Sequence, residues 1–325
     1  MLEVKDLVKK YGNKTAVNGL NFHINRGEIV GLLGLNGAGK STTMNCITGY
    51  IAPTSGTITV DGHDILKEPD KAKKVIGYLP EVFSYYSDMK VYEYLDFVCD
   101  IKGFTKNRKI RREHIEGICR KVGIWDKSGR MIRNLSKGYK QRTGFAQALI
   151  GNPKLLILDE PTVGLDPSQI IEIRQLIRDL GRESTVIVSS HIMSEIQAVC
   201  SRILVIHDGK VAADGSPEEL IFHGADKNIL NIRVKGDKAG IEAVLEKTAG
   251  ITGYIPQPEV EEGACDYLVK GNSGEDIREA VFRAFASASG DMTLLRLESP
   301  EATLENTFLH LTGSEKGDDA DDISL

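Results

Sequence analysis

Two stretches near the start of the chain, LEVKDLVKKYG from Leu2 and TAVNGLNFHI from Thr15, alternate apolar and polar positions with a period near two. That is the pattern of strands with one buried face. EIVGLLG, from Glu28, is a short, nearly unbroken apolar strand, and LNGAGKSTTMNCITG, from Leu35, reads as a helix after it. GTITVDGHDI predicts a hairpin turning at Asp61-Gly62, and RILVIHDGKVAADG a second one turning at Asp208-Gly209. KLLILDEP and STVIVSSH are continuous apolar runs of the parallel-sheet kind. Between Tyr85 and Asn134 the pattern changes: Ile110, Ile115, Ile118, Cys119 and Val122 fall near one helical face in a basic, polar setting, which predicts a helical insert. After FHGADKN (222–228) the order is strand 229–235, helix 238–248, strand 251–256, strand 265–270, helix 274–288, strand 292–298 and a final helix at 301–312. This βαββαβ order is that of a ferredoxin-like domain. The expected organisation is an α/β domain over residues 1–222 with the insert at about 85–134, a smaller α+β domain over 228–312, and an acidic, disordered tail at 313–325.

Composition narrows the class. The chain has 325 residues, 41% hydrophobic and 27% charged, with a net charge of −5, which disfavours a general nucleic-acid binder. No run approaches the eighteen or so apolar residues of a membrane span, and the start MLEVKDLVKKYG lacks a leader's apolar core, so a cytoplasmic location is expected. The five cysteines are scattered with no Cys-x-x-Cys pair, which speaks for reduced thiols rather than disulfides or zinc.

The chemistry begins at GLNGAGKST: Gly34, Leu35, Asn36, Gly37, Ala38, Gly39, Lys40, Ser41 and Thr42 fit G-x-x-x-x-G-K-[ST] between a strand and a helix. Glycines let backbone N–H groups turn inward on a phosphate, the helix start adds a favourable dipole, Lys40 is a cation for the β- and γ-phosphates, and the Ser41 hydroxyl suits Mg²⁺. LLILDEP ends in two carboxylates. Asp159 suits an indirect contact with Mg²⁺, while Glu160, which strand alternation aims the other way, can orient or deprotonate water for attack on the γ-phosphorus; the competing reading is an acidic pair that merely meets solvent. His191 ends TVIVSSH, where it can serve the γ-phosphate or stand as an ordinary structural histidine. LSKGYKQRTGFAQAL (135–149) is a second helix start suited to phosphate, with Ser136 as a side-chain cap and Gly138 allowing close approach.

The phosphate loop, LSKGYKQR, LLILDEP, GLDP (164–167) and SSH occur in an order and spacing that resemble the nucleotide-binding subunit of an ATP-binding-cassette (ABC) transporter, over about residues 1–222. The resemblance implies an ATPase in which ATP and Mg²⁺ lie at the interface of a head-to-tail dimer. It makes Tyr11 the residue stacked on adenine, Glu160 the catalytic carboxylate, His191 the switch histidine, and Asp166 part of the dimer-contacting loop. It assigns Ser136, Lys137 and Gly138 to the ATP of the opposite subunit, which explains a second phosphate-seeking helix start. Lys137 and Tyr139 replace the commoner Gly and Gln, and Glu81 in GYLPE stands where Gln is usual, linking Mg²⁺ or water to the membrane subunit. These variants and the extra domain resemble the exporter subgroup of multidrug, sodium-export and gliding-motility systems. The implied partners are a separate membrane-spanning permease and a second nucleotide-binding subunit, placing the chain on the inner face of the cell membrane. A soluble ABC ATPase of repair or translation is the alternative, but repair types carry long coiled-coil insertions and translation types usually two cassettes. A phosphate-loop GTPase or kinase would lack the second signature, and no Asn-Lys-x-Asp motif occurs.

Overall fold

The computed structural model describes residues 1–224, 228–258, 260–261, 263–272, 275–288, 292–299, 303–305 and 307–308. The chain divides into two units, Met1–Pro217 and Glu218–Leu325.

The first unit holds two sheets. β1 (Leu2–Tyr11), β2 (Lys14–Ile24), β4 (Ser55–Val60) and β5 (His63–Asp64) form an antiparallel sheet in the order β2-β1-β4-β5. Its β4–β5 turn uses Asp61 and Gly62 at φ 51° and 85°, the left-handed pair a tight hairpin needs. The second sheet runs β10-β9-β3-β8-β7-β6. Its strands are β3 (Ile29–Leu33), β6 (Ile76–Leu79), β7 (Leu155–Asp159), β8 (Thr185–Ser189) and β9 (Arg202–His207), all parallel, with β10 (Lys210–Gly215) antiparallel at one edge. Every residue of β7 and β8 is buried, because helices cover a parallel sheet on both faces and leave no polar side to alternate toward. The helices of this unit are α1 (Lys40–Ile47), α2 (Pro69–Lys74), α3 (Val91–Ile101), α4 (Arg108–Lys121), α5 (Lys137–Leu149), α6 (Pro167–Gly181) and α7 (Met193–Val199); α8 (Pro217–Gly224) begins at the unit's last residue and belongs to the second. In the insert, Ile115, Ile118, Cys119 and Val122 are buried as their spacing predicts, but Ile110 is half exposed, one turn from the N-cap Asn107, at the end of α4 that starts the helix.

Strand order positions the chemistry. β3 lies beside β8 and β8 beside β7, with Leu32 and Asp159 both level with Ser189. The loops leaving the carboxyl ends of these three strands therefore open at one place, where ligands bind in open α/β sheets.

In the second unit β11 (Ile229–Lys235), β12 (Ile251–Gln257), β13 (Ala264–Gly271) and β14 (Thr293–Glu298) form an antiparallel sheet in the order β12-β13-β11-β14. α9 (Lys238–Lys247) and α10 (Arg278–Ser287) pack on it around Leu230, Ile232, Val234, Ile241, Tyr267, Val269 and Phe285. This is the ferredoxin-like βαββαβ topology. Of the expected 301–312 helix, Leu304, Glu305, Thr307 and Phe308 are helical; its remaining positions other than Thr303, and the 313–325 tail, lie outside the described residues.

Candidate active site

The phosphate loop leaves β3 at Gly34 and enters α1 at Lys40. Two glycines are required sterically. A Cβ on Gly34 would lie 2.4 Å from the Ile206 carbonyl, and Gly39, the N-cap, has φ 110° with the Ala16 carbonyl 2.6 Å from a hypothetical Cβ. The loop thus presses against β2 and β9 and presents its N–H groups and the helix start outward. Lys40 is buried, and its ammonium donates to the carbonyls of Gly34 at 2.7 Å and Leu35 at 3.2 Å. Burial pulls its pKa below the ordinary lysine value, opposed by the charges of Glu160, Asp159 and Glu81.

Asp159 ends β7 in register with Ser189 and is 4% exposed. The Ser189 hydroxyl donates to Asp159 Oδ1 at 2.7 Å and accepts the Glu160 N–H at 3.0 Å. Burial raises the Asp159 pKa, and the charge of Glu81 adds to the rise, while hydrogen bonds from Ser189 and Ser41 oppose it. Strand alternation does not govern Glu160. The strand stops at Asp159 and Glu160 sits at φ 47°, a left-handed conformation that non-glycine residues rarely adopt. The turn brings its carboxylate to the same cleft as Lys40, 2.9 Å from Nδ1 of His191. Burial raises the Glu160 pKa, and the His191 charge is the largest opposing influence.

Among the described residues, Asn36, Gly37, Gly39, Lys40, Ser41 and Thr42 line one wall of this cleft, and Glu81, Glu160, Val163 and His191 the other. Ala38 lies buried behind the wall and Leu35 is partly exposed beside it. No group of three or more His, Cys, Asp or Glu among the described residues would hold a metal by itself. The oxygens of Ser41, Glu81 and Asp159 instead suit a hard cation shared with phosphate and water.

Tyr11, Ser136, Lys137, Gly138 and Asp166 stand apart from the cleft lining. Tyr11 ends β1 half exposed, with the Lys9 ammonium 5.1 Å from its ring centroid. Ser136 occupies the N-cap of α5 at φ −65° and ψ 164°, but its side chain makes no capping hydrogen bond, contrary to the sequence expectation. Gly138 does permit a close approach, to the Gln169 side chain: a Cβ would lie 2.6 Å from Gln169 Oε1. Lys137 extends over Gly164, and Asp166 caps α6 by accepting the Gln169 N–H at 2.9 Å, so the start of α5 and the 164–169 segment interlock. Hydrogen bonds from the Ser168 hydroxyl and the Gln169 N–H hold the Asp166 carboxyl below its usual range.

Sequence reasoning missed Ser189, Thr162, Ser190 and Glu195, all buried around the acidic pair. The available signal was a polar residue inside an otherwise apolar run, Ser189 in STVIVSSH.

A family model described as "ABC transporter" matches residues 17–163. The chain is 34% identical over 315 residues to the linearmycin resistance ATP-binding protein LnrL of Bacillus subtilis (strain 168), covering 96% of this chain and 98% of that protein. It is 39% identical over 317 residues to the bacitracin transport ATP-binding protein BcrA of Bacillus licheniformis, covering 96% and 97%. Among solved structures it resembles a dimeric ATP-binding cassette in a post-hydrolysis state with ADP and Pi, with a TM-score of 0.61, 26% identity, and 66% of this chain and 98% of that one covered.

Proposed function

Since this chain belongs to the ABC transporter family, as an ATP-binding and ATP-hydrolysing subunit of the exporter type, we propose that two copies pack head to tail and hydrolyse Mg-ATP at their shared interface. The observation that carries this reading is a division of labour. The cleft gathers Lys40, Ser41, Glu81, Glu160 and His191, with Asp159 behind, whereas Ser136–Gly138 do not line the cleft of their own chain. Ser136 is exposed at a helix start without a capping hydrogen bond, so the N–H groups and dipole of α5 are available to another molecule's phosphate.

In this reading the loop from Gly34 to Thr42 cradles the phosphates, Lys40 pairs with the β- and γ-phosphates, and Tyr11 stacks on adenine. Ser41, Asp159 and Glu81 would hold Mg²⁺, which neutralises charge on the transferred phosphate. Glu160 takes the proton of the attacking water, the oxygen bonds to the γ-phosphorus, and the bond to the β-phosphate oxygen breaks to leave ADP. His191 holds Glu160 and meets the γ-phosphate. Ser136, Lys137, Gly138 and Asp166 act on the partner's nucleotide.

In this reading the permease is a separate chain; no helix among the described residues is long and apolar enough to cross a membrane. It docks beside Glu81 and residues 82–95, bringing the ATPase to the inner face of the cell membrane. Val82 and Tyr86 are exposed there, while Tyr94 is buried and anchors Phe83 edge-on at 5.9 Å. The relatives named for bacitracin and linearmycin agree with an export role, whose cargo is set by the permease.

Complementation tests the shared site. Lys40→Ala and Ser136→Arg each inactivate both sites of a homodimer. A dimer linking one mutant of each kind keeps one intact site, joining one chain's Lys40 to the other's Ser136. The linked dimer regains ATPase activity and traps one nucleotide with vanadate. A folded linked dimer with neither result refutes the shared site.

A further inference from the structure

We infer that Glu195 is a positioning residue for hydrolysis, holding Glu160 and His191 in register with each other; the inference rests on the reading of those two as the acting pair. Glu195 lies in the first turn of α7 and is 5% exposed. A buried carboxylate is costly unless its oxygens are satisfied. Here Oε2 accepts from the Thr162 hydroxyl and, at 3.2 Å, from the Ser190 hydroxyl. Thr162 is two residues past Glu160. Ser190 is the residue before His191, and its hydroxyl also accepts the Ile192 N–H at 3.0 Å, closing a tight turn with His191 at its middle. One carboxylate oxygen therefore ties the loop leaving β7 to the loop leaving β8.

The other oxygen faces α6, with Oε1 4.0 Å from Nη2 of Arg174. Nε of Arg174 is buried and has no hydrogen-bond partner among the described residues, while the side chain as a whole is 26% exposed. α6 begins at Asp166 in the 164–169 segment that interlocks with the start of α5. Glu195 is thus the junction of the Glu160 loop, the His191 turn and α6.

The backbone needs such a junction. Glu160 is left-handed at φ 47°, and the Ser189 hydroxyl accepts its N–H. Strained residues of this kind persist when their surroundings over-determine them. Thr162 fixes the chain beyond the strained residue as Ser189 fixes it at the residue. The 2.9 Å contact between His191 and Glu160 joins two loops that are otherwise tied by Ser189 and Glu195.

The test compares Glu195→Ala, Glu195→Gln, Thr162→Val and Ser190→Ala in the full chain, measuring kcat, KM, ATP affinity by direct titration, and melting temperature. Misplacing reacting groups by about an ångström costs on the order of a hundredfold. Glu195→Ala lowers kcat about 10- to 100-fold with ATP affinity within about threefold. Glu195→Gln keeps an oxygen acceptor for both hydroxyls and restores most of kcat. Thr162→Val and Ser190→Ala lower kcat in the same direction and stand in for Glu195→Ala if that variant fails to fold. In a His191→Ala background, Glu195→Ala adds less than it does alone.

Normal kcat in the folded Glu195→Ala variant, or in both substitute variants when that one does not fold, overturns the inference. So does a fall in ATP affinity that matches the fall in kcat, and so does full additivity with His191→Ala, which would mark a general structural role. If Glu160→Gln and His191→Ala themselves leave hydrolysis intact, the acting pair is misassigned and the inference falls with it. That failure is recognisable without any Glu195 variant.

Discussion

Replacing Glu160 by Gln separates chemistry from binding more cleanly than any other single change. The amide keeps the size of the side chain and an oxygen for the His191 ring, 2.9 Å away, but cannot accept the proton of water. A positioned general base contributes about 10²–10⁴ in rate. At 1.36 kcal/mol per tenfold, that is about 2.7–5.4 kcal/mol of barrier. Binding should not suffer. Glu160 is 8% exposed and faces Asp159 and the phosphate side of the cleft, so removing its charge relieves repulsion there. Folding should not suffer either. The folded pKa of Glu160 is raised by burial, so the charge opposes folding at pH values above its ordinary carboxylate value, and an uncharged amide removes that opposition. The left-handed backbone costs Gln about what it costs Glu. The assay has three parts: single-turnover release of phosphate, ATP affinity by titration, and size-exclusion chromatography with Mg-ATP. Phosphate release falls by the stated factor, affinity holds or rises, melting temperature holds or rises, and the closed dimer accumulates. Hydrolysis at the original rate would falsify the role of Glu160 as base. A variant that loses ATP binding in parallel with hydrolysis would instead make it a binding residue.

Tyr11→Ala should weaken ATP binding by about 1–3 kcal/mol if the ring stacks on the base, and GTP should compete measurably; unchanged affinity returns Tyr11 to the surface. Asp61, bridged by Lys154 at 2.6 Å and Arg26 at 2.5 Å, has a carboxyl held below its usual range, chiefly by Lys154. Its stabilisation is full above the ordinary carboxylate pKa and lost as pH falls through the lowered one. Asp61→Asn should therefore cost about 1 kcal/mol at neutral pH, both cations being exposed, and flatten the acid side of the stability profile measured by urea unfolding. A Ser84→Cys variant carrying a short crosslinker should capture the permease in membranes; capture only from probes in residues 228–312 would move the docking site there.

The strands that showed themselves in the sequence were those with an uninterrupted period or an apolar run, and the hairpins declared themselves by Asp61-Gly62 and Asp208-Gly209. β6 did not, because its four residues include Gly77, where a Cβ would lie 2.3 Å from the Ala148 carbonyl. The glycine that hides the strand's pattern is what lets the end of α5 pack on it. The phosphate loop and the Asp159–Glu160 pair were legible because their chemistry depends on neighbours in sequence, whereas His191, 31 residues from Glu160, was singled out by its place at a strand end and by the family resemblance. Ser189 and Glu195 were not, since their partners Asp159, Glu160 and Thr162 lie about thirty residues away and meet them only through the β7–β8 register. The reason given for the direction of Glu160 was incomplete in a related way: alternation holds only while the chain stays extended, and the strand ends one residue earlier, so the left-handed turn and not the pleat carries its side chain to the cleft.

The left-handed backbone at Glu160 also bears on which errors this chain can tolerate unnoticed. Glutamate codons become glycine codons by a single base change, and glycine is the residue for which φ 47° carries no steric penalty. A Glu160→Gly subunit would lack the base yet relax the turn, so its loss of function would exceed its loss of stability. Such a subunit would still take up ATP, pair with intact copies and occupy permeases. Its harm would scale with its abundance among the working chains, not with any loss of its own stability. At this position selection has to act on turnover, because the relaxed turn offsets part of what the lost side chain contributed to folding.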